Sequence, residues 1–262
     1  MYDKYLAKAK EELFFKPMNP DNLDLLLVGS AEIGQTDQKV KLIPEGQHLS
    51  CFVGGLVALG SKVFQRPDDL SVARKLVDGC VWAYSMTPTG IMPEVFSAIP
   101  PPEKGQKNKW DRGRWVDGVK EKYPVGSKDE AKDENARAEQ VIKSMRLPQG
   151  VTKIVDSRYI LRYDAPNLPS VAHKCRPEAI ESVFVLYRIT GERQYQDVAW
   201  KMFQSIESAT RTDLSYASIQ DVTNPEPGKT DASESFWMGE TLKYFFLIFS
   251  EPDVWSLDDW VL

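Results

Sequence analysis

Apolar residues recur along most of this chain at helical spacing. Tyr5, Leu6, Ala9, Leu13 and Phe14 share one face of residues 2–15 and predict a helix that ends before Pro17. A second helix is predicted from His48 to Phe64, after the turn Pro44-Glu45-Gly46. Its paired glycines, Gly54 and Gly55, cost about 1 kcal/mol each in a helix, so close packing against a neighbour is expected to compensate. A third runs from about Leu70 to Met86, following Arg66-Pro-Asp-Asp69, and others are predicted at about 134–145, 177–190, 193–210 and 234–250. Two short runs, Leu23–Gly29 and Lys39–Ile43, suggest a small hairpin, and no further strand series stands out. The expected fold class is all-α, helix paired with helix by short turns. From Glu103 to Lys143, 20 of 41 residues are charged. That stretch (103–143) reads as a solvated loop, pinned to the body by Trp110 and Trp115.

Composition narrows the function. Lys and Arg number 33 against 38 Asp and Glu, a formal net charge of −5. No basic excess is available to neutralise phosphates, so no nucleic-acid partner is expected. Apolar runs such as Tyr244–Phe249 fall far short of the roughly 18 residues of a membrane span, so no membrane segment is expected. The start, Met1-Tyr-Asp-Lys-Tyr5, lacks the basic and apolar regions of a signal peptide. His48 and His173 are the two histidines and lie far apart, which argues against a multi-His zinc site. Cys51, Cys80 and Cys175 form no Cys-x-x-Cys pair, and no Gly-x-Ser-x-Gly elbow is present. Carboxylates are therefore the best candidates for chemistry.

Three segments offer them. In Arg176-Pro177-Glu178-Ala-Ile-Glu181, proline suits a first helical turn, and Glu178 and Glu181 fall on one face with Arg176 at its mouth. Two carboxylates and a guanidinium there could bind a sugar hydroxyl or activate a water. Equally, acids in a first turn complement the helix dipole, which is the commoner reason to find them. In the segment 234–250, Phe236 and Glu240 are four apart, and Glu240 sits in an otherwise apolar helix where a buried carboxylate needs a partner. Lys243 is one such partner; a sugar stacked on Phe236 and hydrogen-bonded to Glu240 is the other reading. Glu94, after Pro88-Thr-Gly-Ile-Met-Pro93, falls on a loop. His48 reads as a helix-start cap.

Taken together, these segments resemble class I α-1,2-mannosidases, glycoside hydrolase family 47, with a fungal-like flavour. The residues that carry the resemblance are Ile43-Pro-Glu-Gly-Gln-His-Leu-Ser-Cys-Phe-Val-Gly-Gly55, Thr89-Gly-Ile-Met-Pro-Glu94, Arg176-Pro-Glu-Ala-Ile-Glu-Ser-Val-Phe-Val-Leu-Tyr-Arg-Ile-Thr-Gly191, Glu234-Ser-Phe-Trp-Met-Gly-Glu-Thr-Leu-Lys-Tyr244 and the closing Leu257-Asp-Asp-Trp-Val-Leu262. The resemblance implies one α/α-toroid domain over 1–262, part of an (α/α)7 barrel of helical hairpins. It implies calcium-dependent, inverting removal of terminal α-1,2-mannose from high-mannose N-glycans or glycoproteins by a monomer in the endoplasmic reticulum, in the Golgi or outside the cell. Inversion needs two carboxyls roughly 6.5–9.5 Å apart, with water between base and sugar. By resemblance Glu178 is that base. Arg176, Glu181, Phe236 and Glu240 line the terminal-mannose and calcium pocket, and Glu94 contacts the neighbouring sugar. Cys51 and Cys80 match the family disulfide, which requires an oxidising lumen. The alternative implied by the wider family is a non-catalytic mannose- or glycoprotein-binding module in quality control.

The chain departs from the family pattern in three places. The N-terminal half, with its general-acid glutamate and a further pocket aspartate, has no counterpart. The chain ends before Asn-Thr-Glu-Ala-His, whose threonine is the family's direct calcium ligand, so no direct metal ligand is expected within it. On these grounds the chain is expected to be a C-terminal fragment without activity of its own. Third, Tyr159-Ile-Leu-Arg162 is separated from Pro177-Glu178 by residues 163–176, where relatives read Tyr-Ile-Leu-Arg-Pro-Glu unbroken. Deleting those 14 residues restores the motif, and codons for Arg-Tyr and Cys-Arg can carry GT and AG splice signals. A retained intron is the expected explanation.

Overall fold

The computed structural model describes residues 1–34, 36, 38–103, 105–124, 134–159, 177–233 and 235–260. The expected insertion (163–176), with Arg176, His173 and Cys175, lies outside the described residues. Among those described, the helices are α1 (Tyr2–Glu12), α2 (Phe52–Val63), α3 (Pro67–Ser85), α4 (Arg112–Lys122), α5 (Glu134–Ser144), α6 (Glu178–Thr190), α7 (Gln194–Thr210) and α8 (Leu242–Phe249). The strands are β1 (Phe14–Phe15), β2 (Leu27–Val28), β3 (Ser30–Ile33), β4 (Val40–Ile43), β5 (Glu45–Gln47), β6 (Val95–Ala98) and β7 (Val151–Asp156). The chain is helix-rich with small sheets. No described helix is long and apolar enough to cross a membrane. Residues 1–47 with 93–157 make one compact unit, and 48–92 with 158–262 make another.

The first unit carries the strands. β1 pairs with β2, β3 with β4, and β5–β6–β7 form an antiparallel three-stranded sheet. The expected hairpin is thus partly corrected. Val40–Ile43 is a strand, but its partner is Ser30–Ile33, while Leu25 and Leu27 are buried. The three-stranded sheet was not expected at all. Its strands are too short to show a period, and each pairs with chain about fifty residues away. The reading of 103–143 as loop is corrected as well, because α4 lies inside it. Asp111 caps that helix by accepting from Arg114 N–H at 3.1 Å. Trp115, Val116 and Val119 then turn inward onto Met18, Ile99, Ala138 and Leu147. The buried Trp115 indole donates to Val151 O at 2.8 Å, so this tryptophan does anchor the segment. Gly150 lies beneath that core at φ +93°, where an added Cβ would sit 2.3 Å from Met18 O. Left-handed strain costs an L-residue about 1–2 kcal/mol, and forced overpacking about 1–3 more. Gly150→Ala is expected to lower stability by about 2–4 kcal/mol, read as a lower urea midpoint at unchanged slope.

The second unit is built from helical hairpins. Pro67 sits at the start of α3, and Pro177 immediately precedes α6. Gly191, at φ +70°, ends α6 with its N–H on Tyr187 O. The paired glycines do what their cost required. A Cβ on Gly54 would meet Val77 Cγ2 at 2.8 Å, and one on Gly55 would meet Ser182 Oγ at 3.0 Å, so α2 lies close against both α3 and α6. The last helical stretch departs from the expected regular helix 234–250. Trp237–Thr241 form a π-turn, with Leu242 N–H bonded to Trp237 O, and α8 follows.

Candidate functional site

Glu178 and Glu181 lie in the first turn of α6, three residues apart, as their spacing predicted. Glu178 is 7% exposed, so it is not the solvated first-turn carboxylate that helix starts usually carry. A carboxylate so placed needs polar company. His48 supplies some of it, with Nδ1 at 3.5 Å from Glu178 Oε2. Its Nε2 is 2.7 Å from the Tyr84 hydroxyl, and the Tyr84 and Tyr159 rings flank the imidazole with centroids at 5.4 and 6.0 Å. The reading of His48 as a cap is therefore corrected. Its fully buried ring faces side chains that run from α3 to the base of α6.

One helical turn away lies a second layer. His48 and Cys51 are the ends of a single 3-10 turn, and Cys51 is bonded to Cys80, four residues before Tyr84 on α3. Ser182, four residues after Glu178 on α6, donates its hydroxyl to Cys51 O at 2.6 Å and accepts from Gly55 N–H at 2.8 Å. The same three elements are thus joined twice, through Tyr84–His48–Glu178 and through Cys80–Cys51–Ser182. The disulfide expected from the resemblance is formed.

Glu181 is half-buried and accepts a short hydrogen bond from the Tyr244 hydroxyl. Burial pushes its carboxyl above the usual range. The Tyr244 hydroxyl opposes this, Glu178 and Glu240 add to it, and Lys243 opposes it. Burial and the bond to Glu181 push the Tyr244 phenol up as well. The structure therefore brings Glu178, Glu181 and Glu240 into one electrostatic neighbourhood. Glu240 sits in the π-turn, half-buried rather than buried, and Phe236 is half-buried just before it. Lys243 is not the ion-pair partner of Glu240; its ammonium lies over the Tyr244 ring, 4.6 Å from the centroid. Glu94 belongs to the other unit, 2% exposed on the turn entering β6. Arg176 lies outside the described residues.

Calcium takes six to eight oxygen ligands. Among the described residues no group of three or more His, Cys, Asp or Glu is placed to hold a metal.

The model of glycosyl hydrolase family 47 matches residues 1–262. A mannosyl-oligosaccharide 1,2-alpha-mannosidase of Arabidopsis thaliana is 29% identical over all of this chain and 37% of its own length. A probable mannosyl-oligosaccharide alpha-1,2-mannosidase 1B of Neosartorya fischeri is 33% identical over 94% of the chain and 39% of its own length. The human endoplasmic reticulum mannosyl-oligosaccharide 1,2-alpha-mannosidase is 30% identical over 90% of the chain and 26% of its own length. Among solved structures, an alpha-1,2-mannosidase from Trichoderma reesei superposes with a TM-score of 0.65 at 26% identity, over 94% of this chain and 40% of that one. The chain thus spans well under half the length of these relatives.

Proposed function

From its membership of glycosyl hydrolase family 47, to which this chain belongs along its whole length, we propose that the protein is an inverting α-1,2-mannosidase acting on high-mannose N-glycans. The observation that carries the reading is the near-complete burial of Glu178 at the head of α6, beside His48 and within the neighbourhood of Glu181 and Glu240. A carboxylate so placed can serve as a general base for a water that comes within its hydrogen-bond reach.

In the proposed reaction Glu178 takes a proton from a water whose oxygen attacks the anomeric carbon. The glycosidic C–O bond breaks and the configuration inverts. The departing oxygen must receive a proton from an acid that this chain's assigned residues do not include. Arg176, Glu181, Phe236 and Glu240 hold the terminal mannose. Calcium belongs to the proposal as the family's cofactor. The proposed setting is an (α/α)7 toroid in the lumen of the secretory pathway, where the Cys51–Cys80 bond persists.

The test is hydrolysis of α-1,2-mannobiose with calcium present, by the protein that carries residues 1–262 as transcribed in full. Proton NMR is expected to show β-mannose appearing first. Initial release of α-mannose would contradict inversion. Saturable binding without turnover would replace the enzyme reading with a binding module.

A further inference from the structure

We infer that Tyr244 is a positioning residue of this site: its hydroxyl, donated to Glu181 Oε1, fixes which carboxyl oxygen of Glu181 is left for the sugar. The inference rests on the mannosidase reading above. A glutamate's last torsion is broad and roughly two-fold, so rotamer preference alone does not decide how its carboxyl faces. A fixed donor does. The Tyr244 side chain is itself fixed: residue 244 is 4% exposed, its ring packs on Phe184 with centroids 5.6 Å apart, and the Lys243 ammonium lies over its face. The phenol thus reaches Glu181 from a ring held on more than one side.

The chemistry of the donor matters as much as its place. A phenol has one O–H, so it engages one carboxyl oxygen and leaves Oε2 to other donors. It is also neutral, so it orients Glu181 without cancelling the negative charge that would accept a sugar hydroxyl. Lysine or arginine in its place would orient and neutralise together. Glu181 shares the first turn with Glu178, so fixing its second oxygen fixes a sugar contact beside the base. Tyr244 touches neither water nor sugar in this role; it acts through Glu181.

Tyr244→Phe deletes one oxygen and keeps the packed ring. In the protein carrying this chain it is expected to raise KM for α-1,2-mannobiose about ten-fold, the scale of one hydrogen bond to a charged group, with kcat changed less than about three-fold. In a Glu181→Leu background, where no acceptor remains, the same change is expected to alter KM less than about two-fold. An unchanged KM in the single variant overturns the inference. So does a ten-fold effect that persists in the Glu181→Leu background. A parallel fall in kcat and thermal midpoint would make Tyr244 a scaffold residue only, which also overturns it. If the unaltered protein neither hydrolyses nor binds mannobiose, the mannosidase reading fails first and takes this inference with it.

Discussion

Glu178→Gln is expected to slow mannose release by about 10²–10⁴-fold while leaving KM for α-1,2-mannobiose within a few-fold of its starting value. Glutamine keeps the volume of the side chain and one carbonyl oxygen, so the buried space beneath α6 is neither emptied nor overfilled. It loses the ability to take a proton from water. At the middle of that range the lost transition-state stabilisation is about 4 kcal/mol, more than the packing or dipole of one first-turn residue can supply. The prediction separates the two readings left open by the spacing of Glu178 and Glu181. An acid that merely complements the helix dipole would cost about 0.3–1 kcal/mol of stability on neutralisation and little activity. The expected pattern is the reverse, a large fall in kcat with a thermal midpoint close to the original. A fall below ten-fold would return Glu178 to a structural role. Alanine is the poorer probe here, because the cavity it leaves in a residue only 7% exposed mixes stability with catalysis.

What the sequence made legible depends on how local each determinant is. Helices α3 and α6 were readable because their signals sit within a turn of their ends: Pro67, Pro177 and Gly191 each stand where a helix starts or stops. Helix α4 was missed because charge dominates 103–143, and its inward residues Trp115, Val116 and Val119 are too few to set a period against that background. The sheet β5–β6–β7 was missed for a different reason. Its stabilisation comes from pairing Glu45 with Ser97 and Ala98 with Val151, and no window of neighbouring residues contains both partners. The site divides the same way. Glu178 and Glu181 come together through three residues of helix, whereas Glu240 joins them only by packing of another helical segment, inside a π-turn that has no sequence signature. His48 was misread because its partner Tyr84 lies 36 residues on. One signal was available: a lone ionisable ring heading the apolar run through Gly60 must find polar partners if that segment is buried.

Replacing both Cys51 and Cys80 by alanine is expected to lower stability by about 3–4 kcal/mol, from the loop entropy regained over a 29-residue separation. The architecture predicts more than this entropic term. Cys51 is held from two sides, covalently by α3 through Cys80 and by hydrogen bond from α6 through Ser182. Ser182→Ala alone leaves Cys51 O and Gly55 N–H without the hydroxyl that serves both, at an expected cost of about 1–3 kcal/mol. If the two constraints share the task of fixing one short turn, removing both must cost something other than the sum of removing each. Once the disulfide is gone the turn is free to shift, and the Ser182 bonds have less order to preserve. The triple variant is therefore expected to fall short of additivity by about 0.5 kcal/mol or more in urea denaturation. Because His48 begins the same 3-10 turn that Cys51 ends, that loosening is also expected to appear in the reaction. In the double alanine variant, at temperatures where it remains folded, kcat should fall and KM hold, since the turn carries the neighbour of Glu178 and not a sugar contact. Strict additivity together with an unchanged kcat would mean that the two layers only happen to lie one turn apart.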